Sequence, residues 1–572
     1  MKKFLLGLIT GLVLAALTLV VMFLAAAGAA QRRPPIRDSS TLVLNLAGEI
    51  PERPPVRFPL PMLEARQALT VHQVWDLLRK AAADSRVKAV ALFPDRLGAG
   101  WARLGEIRHC LLEFRKSGKP LVAYLRNPGG REYYLATAAD QIYMAREDFL
   151  DVKGLRAELI FLKGTLDKIG VQFEIEHAGQ YKDAGDMFTR TSMRPETRQV
   201  LDSILDVLYA DFLQTVGAAR SLAPDQIRGL IDEGPFLASQ AKDKGLVDDL
   251  LFEDEFFDHL KERLGQEEIR RLPARDYLRV PASALGLEAG SRIAFVVAEG
   301  TILRGDDGLE DEGVLASRSF VRLLRQVRDD DAIKGVILRI NSPGGDAIAS
   351  DEILREARLL AGKKPLVVSM SDSAASGGYF IAMTGDPILA YPHSFTGSIG
   401  VIYGKVNLRG LYDKLGIQKE YLTRGRFADI DSDYKPLSAA GRQKLREGVD
   451  AIYDSFLEAV AEGRRRPVEE IRPLAEGRVW LGVQAGENGL VDELGGLDRA
   501  IEMVKEKAGI PAVEKIRLVP YPRQRSVFDY LFRISPETSV YAELRARLHG
   551  LDPRPLLRGG FLRLPPYSVE VR

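Results

Sequence analysis

Cysteine is almost missing from this chain: Cys110 is the only one among 572 residues. A lone thiol excludes an intrachain disulfide and any metal site built on paired cysteines, and it leaves the redox compartment open. No recurring His, Asp and Glu spacing marks a metal centre, and no glycine-rich loop of the phosphate-binding kind is present. No cofactor is therefore expected. Net charge is missing too, since 80 lysines and arginines face 79 aspartates and glutamates. Such a balance creates no field to draw a nucleic acid or an acidic surface, and a nucleic-acid partner is not expected. What remains is a chain with 46% hydrophobic residues, ample for the cores of several domains.

The even composition breaks at the N-terminus. Lys2 and Lys3 precede an uncharged, largely apolar run from Phe4 to Ala30. As a helix this run reaches about 40 Å, more than the ~30 Å hydrocarbon core requires, and it predicts a single uncleaved membrane anchor over residues 1–37. The alternative is a cleaved signal, for which the small residues from Ala25 to Ala30 are suited. Arg32, Arg33 and Arg37 on the far side balance Lys2 and Lys3, so charge alone does not orient the anchor.

The rest of the chain contains itself twice. The segment Val74 to Leu92 aligns with Phe320 to Leu338, Lys119-Pro-Leu-Val122 with Lys364-Pro-Leu-Val367, and Gly245-Leu-Val-Asp-Asp-Leu250 with Gly489-Leu-Val-Asp-Glu-Leu494. Each copy reads as an amphipathic helix, a short β-branched strand such as Gly335 to Ile340, another helix and another apolar strand such as Pro365 to Met370. That alternation predicts an α/β fold with parallel sheets. Long helices are expected over Pro195 to Ala219 and Ala439 to Glu462. The expected domains are residues 38–275 and 276–515, with strand Ile293 to Val297 opening the second. A C-terminal extension follows over 516–572, where Pro565 to Arg572 reads either as an added strand or as a surface tail.

Two strand-to-helix turns in the second copy carry chemistry. In Arg339-Ile-Asn-Ser-Pro-Gly-Gly-Asp346 the glycines allow a sharp turn that exposes backbone N–H groups, and such donors stabilise a developing oxyanion by roughly 2.7–4 kcal/mol each; a plain turn is the other reading. In Asp372-Ser-Ala-Ala-Ser-Gly-Gly-Tyr379, Ser376 stands between small residues where a nucleophile is held in the open. Ser373 is its nearest rival. With Tyr133 and Asp140 placed against Tyr379 and Asp386, the first copy offers only Gly130 or Arg131 opposite Ser376. The converse holds at Gly179-Gln-Tyr-Lys-Asp183, which aligns with Gly425-Arg-Phe-Ala-Asp429, so that Lys182 faces Ala428. Each copy keeps one member of a serine–lysine pair, which predicts a composite site across the two. A neutral amine beside a serine hydroxyl can take its proton, provided burial lowers the lysine pKa from about 10.4 by several units. Tyr181, Met187 and Phe188 offer apolar cover; Asp183 and Asp186 oppose it if they point inward.

Taken together, Asn341-Ser-Pro-Gly-Gly345, Ala374-Ala-Ser-Gly-Gly-Tyr379, Thr396-Gly-Ser-Ile-Gly-Val401 and Gly179-Gln-Tyr-Lys-Asp183 resemble the long, tandem-repeat form of the signal peptide peptidase A (protease IV) family. The resemblance spans nearly the whole chain. It implies a tandem duplication of a Clp/crotonase-like domain and a serine endopeptidase with Ser376 as nucleophile and Lys182 as general base. It further implies Gly345 and Gly377 as oxyanion donors and Ser398 as the group orienting the lysine; a hydroxyl that merely satisfies its own turn is the alternative for Ser398. It also implies a bowl-like homo-oligomer, a tetramer, on the outer (periplasmic) face of the bacterial cytoplasmic membrane. The partners it implies are signal peptides and similar apolar peptides. Three other readings compete: a crotonase-like acyl-CoA enzyme, a serine protease using His393 in place of the lysine, and a membrane scaffold with a decayed site.

Overall fold

A computed structural model describes residues 36–54, 68–306 and 313–522, the backbone of 560–563, and positions 7, 10, 11, 14 and 18. The expected anchor, apart from those five positions, lies outside the described residues. Among the described residues no helix is long and apolar enough to cross a membrane.

Each repeat is built on one sheet. The first orders its strands Asp249–Leu250, Gln141–Met144, Leu121–Leu125, Val87–Leu97, Ser40–Gly48 and Arg270–Pro273, every neighbouring pair parallel. The second repeats the plan with Leu366–Ala375, Ile333–Ser342, Arg292–Glu299 and Arg517–Tyr521 in parallel order. Helices on the crossovers follow from local chemistry. Thr70 caps Val71–Ala83 by accepting from the Gln73 amide, while the Gln73 side chain accepts from the Thr70 N–H. The two long helices run Pro195–Arg220 and Ala439–Arg464. The strand that closes the second sheet ends at Tyr521, a few residues beyond the expected boundary at 515. Pro520 masks that strand in the sequence, yet proline is tolerated at a sheet edge, as it is in the equivalent Arg270–Pro273.

The duplication is visible in matched hydrogen bonds as well as in strand order. Tyr133 donates its hydroxyl to the Leu246 carbonyl and Tyr379 to that of Leu490, each at 2.7 Å. The Ile142 and Ile388 amides donate to Asp248 and Asp492, which in turn pair with Arg220 and Arg464. These pairs fix the alignment that sets Ser376 against Gly130.

Three features weld the repeats together. One hydrophobic core runs from Leu42, Leu77 and Leu104 of the first repeat to Phe295, Ile337 and Leu497 of the second. A third sheet crosses the boundary, where Val401–Asn407 pairs antiparallel with Gln172–Ala178 along the whole length of both strands. An ionic cluster is buried between the repeats: Arg339 reaches Glu52 at 2.7 Å and Glu106 at 2.5 Å, with all three side chains at most 4% exposed. The Ser369 hydroxyl accepts a third bond from Arg339 at 3.0 Å, and the Ser371 hydroxyl donates to Glu52. Burial raises the pKa of the Glu106 carboxyl, and Arg339 opposes that shift. Removing the guanidinium would leave two carboxylates facing one another out of water. Arg339→Met is therefore expected to lower stability by about 3–5 kcal/mol in denaturant unfolding, whereas a surface substitution such as Arg228→Met leaves it within about 0.5 kcal/mol.

Candidate active site

Ser376 ends the strand Leu366–Ala375 and opens the short helix Gly377–Phe380. Its backbone, at φ 54° and ψ −115°, lies where a side chain is strained, at a cost of order 1–3 kcal/mol. The strain is held in place by the Ser376 amide, which donates to the Gly397 carbonyl at 2.8 Å. Ser342 and Gly378 lock the two chemistry-bearing turns together: a Cβ on Gly378 would stand 2.4 Å from the Ser342 carbonyl oxygen. The Ser373 amide also donates to the Asn341 side chain at 3.2 Å.

The lysine arrives from the other repeat. The strand Gln172–Ala178 places Ala178 opposite Val401, and the chain then turns through residues 179–183 over the segment that follows Gly397. Lys182 Nζ lies 2.8 Å from Ser376 Oγ, 2.7 Å from the Ser398 carbonyl oxygen and 3.0 Å from Ser398 Oγ. Ser376 and Ser398 are fully buried and Lys182 is 1% exposed. The turn is cradled by Glu476 and Gly477. The Tyr181 amide donates to the Glu476 carbonyl at 2.7 Å, and any Cβ on Gly477 would collide with the Lys182 backbone at 2.5 Å.

Gly345 and Gly377 meet beside the serine. A Cβ on Gly377 would stand 3.1 Å from the Gly345 nitrogen and 2.7 Å from Ser350 Oγ, so only glycine fits. Gly345 itself packs so closely on Ile302 that a Cβ there would lie 2.0 Å from its carbonyl oxygen. Asp346, the next residue, caps the helix Ala347–Ala361 by accepting from the Ala349 amide, which sets the direction in which the turn leaves the site.

All five residues singled out in the sequence, Ser376, Lys182, Gly345, Gly377 and Ser398, thus fall in one small volume. Ser373 does not join them; its hydroxyl points to the Ser342 carbonyl, 3.4 Å away. The two aspartates near the lysine are engaged by other side chains. Asp183 accepts from Thr197 and Asp186 from Arg194. His393, the alternative base, has a carboxylate partner: Asp211, on the long helix of the first repeat, lies 3.3 Å away. Burial lowers the pKa of its ring while Asp211 pulls it up, and the pair sits on the repeat boundary rather than on Ser376. The Ser398 carbonyl and the Glu476–Gly477 cradle were not legible beforehand. A main-chain carbonyl leaves no signature in residue type, and the only available hint was the glycine at 477.

The model of peptidase family S49 matches residues 113–267 and 358–511, one segment in each repeat. Among curated proteins, the chloroplastic serine protease SPPA of Arabidopsis thaliana is 36% identical over 494 residues, covering 85% of this chain and 72% of its own. Protease 4 of Salmonella typhi is 32% identical over 541 residues, covering 90% of this chain and 85% of its own. Among solved structures, a mutant ClpP1 from Listeria monocytogenes aligns with 36% of this chain and 94% of its own at 15% identity and a TM-score of 0.24. With the matched segments taking in more than half of the residues, and relatives aligned over 85–90% of the chain, this chain belongs to peptidase family S49 and is a serine endopeptidase.

Proposed function

We propose that the chain cleaves signal peptides and similar apolar peptides through a Ser376/Lys182 dyad. The observation that carries the reading is the 2.8 Å contact between two buried groups supplied by different repeats. In the resting state the amine must be neutral, and taking it out of water favours that form. Ser376 then donates its hydroxyl proton to the Nζ lone pair as Oγ attacks the substrate carbonyl. The new ammonium keeps two acceptors in place, the Ser398 carbonyl and hydroxyl. The oxyanion forms beside the N–H groups of Gly345 and Gly377. Lys182 returns its proton to the departing amine, and a water attacking the acyl ester repeats the cycle with the same base.

The setting of this chemistry is part of the proposal. The apolar run from Phe4 to Ala30 supports an anchor that holds the site at the outer face of the cytoplasmic membrane, where released signal peptides reside. Homo-oligomerisation, in the tetrameric bowl that the family resemblance implies, belongs to the same reading.

Ser376→Ala and Lys182→Ala are each expected to lower kcat/KM for an apolar peptide by about ten-thousandfold, with the double variant no worse than either single. Lys182→Arg is expected to be as inactive as Lys182→Ala, because a guanidinium does not release its proton. A folded Lys182→Arg enzyme with wild-type rates would remove the lysine from the mechanism.

Asp183 predicts a separate pH effect, on stability. Burial pushes its pKa up to about 6, with Asp186 adding to the rise and the Thr197 bond and Arg194 opposing it. A folded pKa above the unfolded one means that the folded state holds the proton more tightly. The stabilisation is complete below the unfolded value and is lost as pH rises through about 6. Unfolding midpoints are expected to fall between about pH 4 and pH 6, and Asp183→Asn is expected to flatten that slope.

A further inference from the structure

The third sheet contains a strand from outside both repeats. Gly560–Arg563 runs antiparallel to Gly345–Asp346, with Arg563 opposite Gly345 and Leu562 opposite Asp346. On its other side it runs antiparallel to Val401–Asn407, with Leu562 opposite Ile402, Phe561 opposite Tyr403 and Gly560 opposite Gly404. It therefore fills a space one strand wide between the two walls of the candidate active site. One wall carries Gly345; the other begins directly after Ser398-Ile-Gly400, where the lysine is anchored.

A peptide substrate has the same need. To bring a carbonyl to Gly345 and Ser376 it must lie extended along these edges, satisfying their N–H and C=O groups by strand addition. The antiparallel pairing of Arg563 with Gly345 shows that the edge accepts an extended chain in that direction. Occupant and substrate cannot share the space. Composition fits as well: Gly-Phe-Leu-Arg-Leu564 is largely apolar, like the proposed substrates, and Pro565 and Pro566 follow, which offer no N–H to carry the ladder further.

We propose that Gly560–Arg563 is a built-in occupant of the substrate groove, an autoinhibitory strand that an incoming apolar peptide must displace. This rests on the Ser376/Lys182 reading of the site. The sequence had suggested an added strand further on, at Pro565 to Arg572; the pairing instead uses residues just before it, and 564–572 lie outside the described residues.

Consecutive N–H groups of a strand point to opposite neighbours, so Phe561→Pro with Leu562→Pro removes one donor toward each wall. The test uses the full-length chain in a Ser376→Ala background, with and without this proline pair. It measures binding of a labelled apolar peptide by fluorescence anisotropy. A strand that fills the groove nine-tenths of the time weakens apparent affinity about tenfold, so the proline variant is expected to bind about tenfold more tightly. A synthetic peptide spanning residues 558–566 is expected to compete for the same site on the proline variant. Equal affinities with and without the prolines, or no competition by that peptide, would overturn the proposal. Loss of the C-terminus in the wild type but not in Ser376→Ala, seen by intact mass, would also overturn it, by making the strand a substrate. Because binding is read without turnover, an inert wild type sinks the catalytic reading alone, while unchanged affinities beside an active wild type sink the inhibitory strand alone.

Discussion

The site depends on one pairing, the antiparallel ladder between Gln172–Ala178 and Val401–Asn407. Lys182 and Ser376 are 194 residues apart and sit in different repeats, so neither local structure nor either repeat alone brings them together. The ladder sets Ala178 opposite Val401, and from there the chain needs only a tight turn to lay the lysine over Ser398 and Ser376. A slip of one residue would move the lysine by about 3.3 Å and turn the strand's side chains to the other face, which no 2.8 Å hydrogen bond survives. Register, more than the identity of any side chain near the site, is what the fold has to protect.

The buried ions between the repeats serve that end. A cluster such as Arg339 with Glu52 and Glu106 is a weak source of stability, because desolvating three charges consumes most of what their attraction returns. Its value lies in direction: apolar surfaces can slide over one another, but a guanidinium with two carboxylates has a single good arrangement. A second pair acts in the same way closer to the chemistry. Asp372, four residues before Ser376, accepts from the Gly100 and Arg103 amides and from the Arg103 side chain, tying the strand that leads into Ser376 to a helix start in the first repeat.

Much of this was legible because duplication left a record. Matched segments placed the repeats, hydrophobic alternation gave the parallel strands, and the loss of serine from one copy and lysine from the other pointed to a shared site. What was hidden falls into two physical classes. Contacts made by main-chain atoms, such as the Ser398 carbonyl on the lysine and the Glu476 carbonyl on Tyr181, depend on conformation and carry no residue signature. Long-range side-chain pairs are the other class. Asp211 and His393, or Glu52 and Arg339, are ordinary surface-type residues until the two repeats dock, and nothing in their local sequence announces a partner.

Around the lysine, three non-glycine residues hold positive φ angles: Ser376, Ser398 and Glu476. Each is strained, and each is pinned by a backbone hydrogen bond to a different part of the chain. Ser376 is tied to Gly397, Ser398 to Arg478, and Glu476 to Tyr181, while the Gly477 amide donates to the Ile399 carbonyl. These bonds form a ring of main chain that encloses the amine and hydroxyl without using either. The consequence is a division of labour. Main-chain bonds set the local geometry around Ser376 and Lys182, while side-chain pairs such as Asp372 with Arg103 and Arg339 with Glu52 hold the two repeats in register.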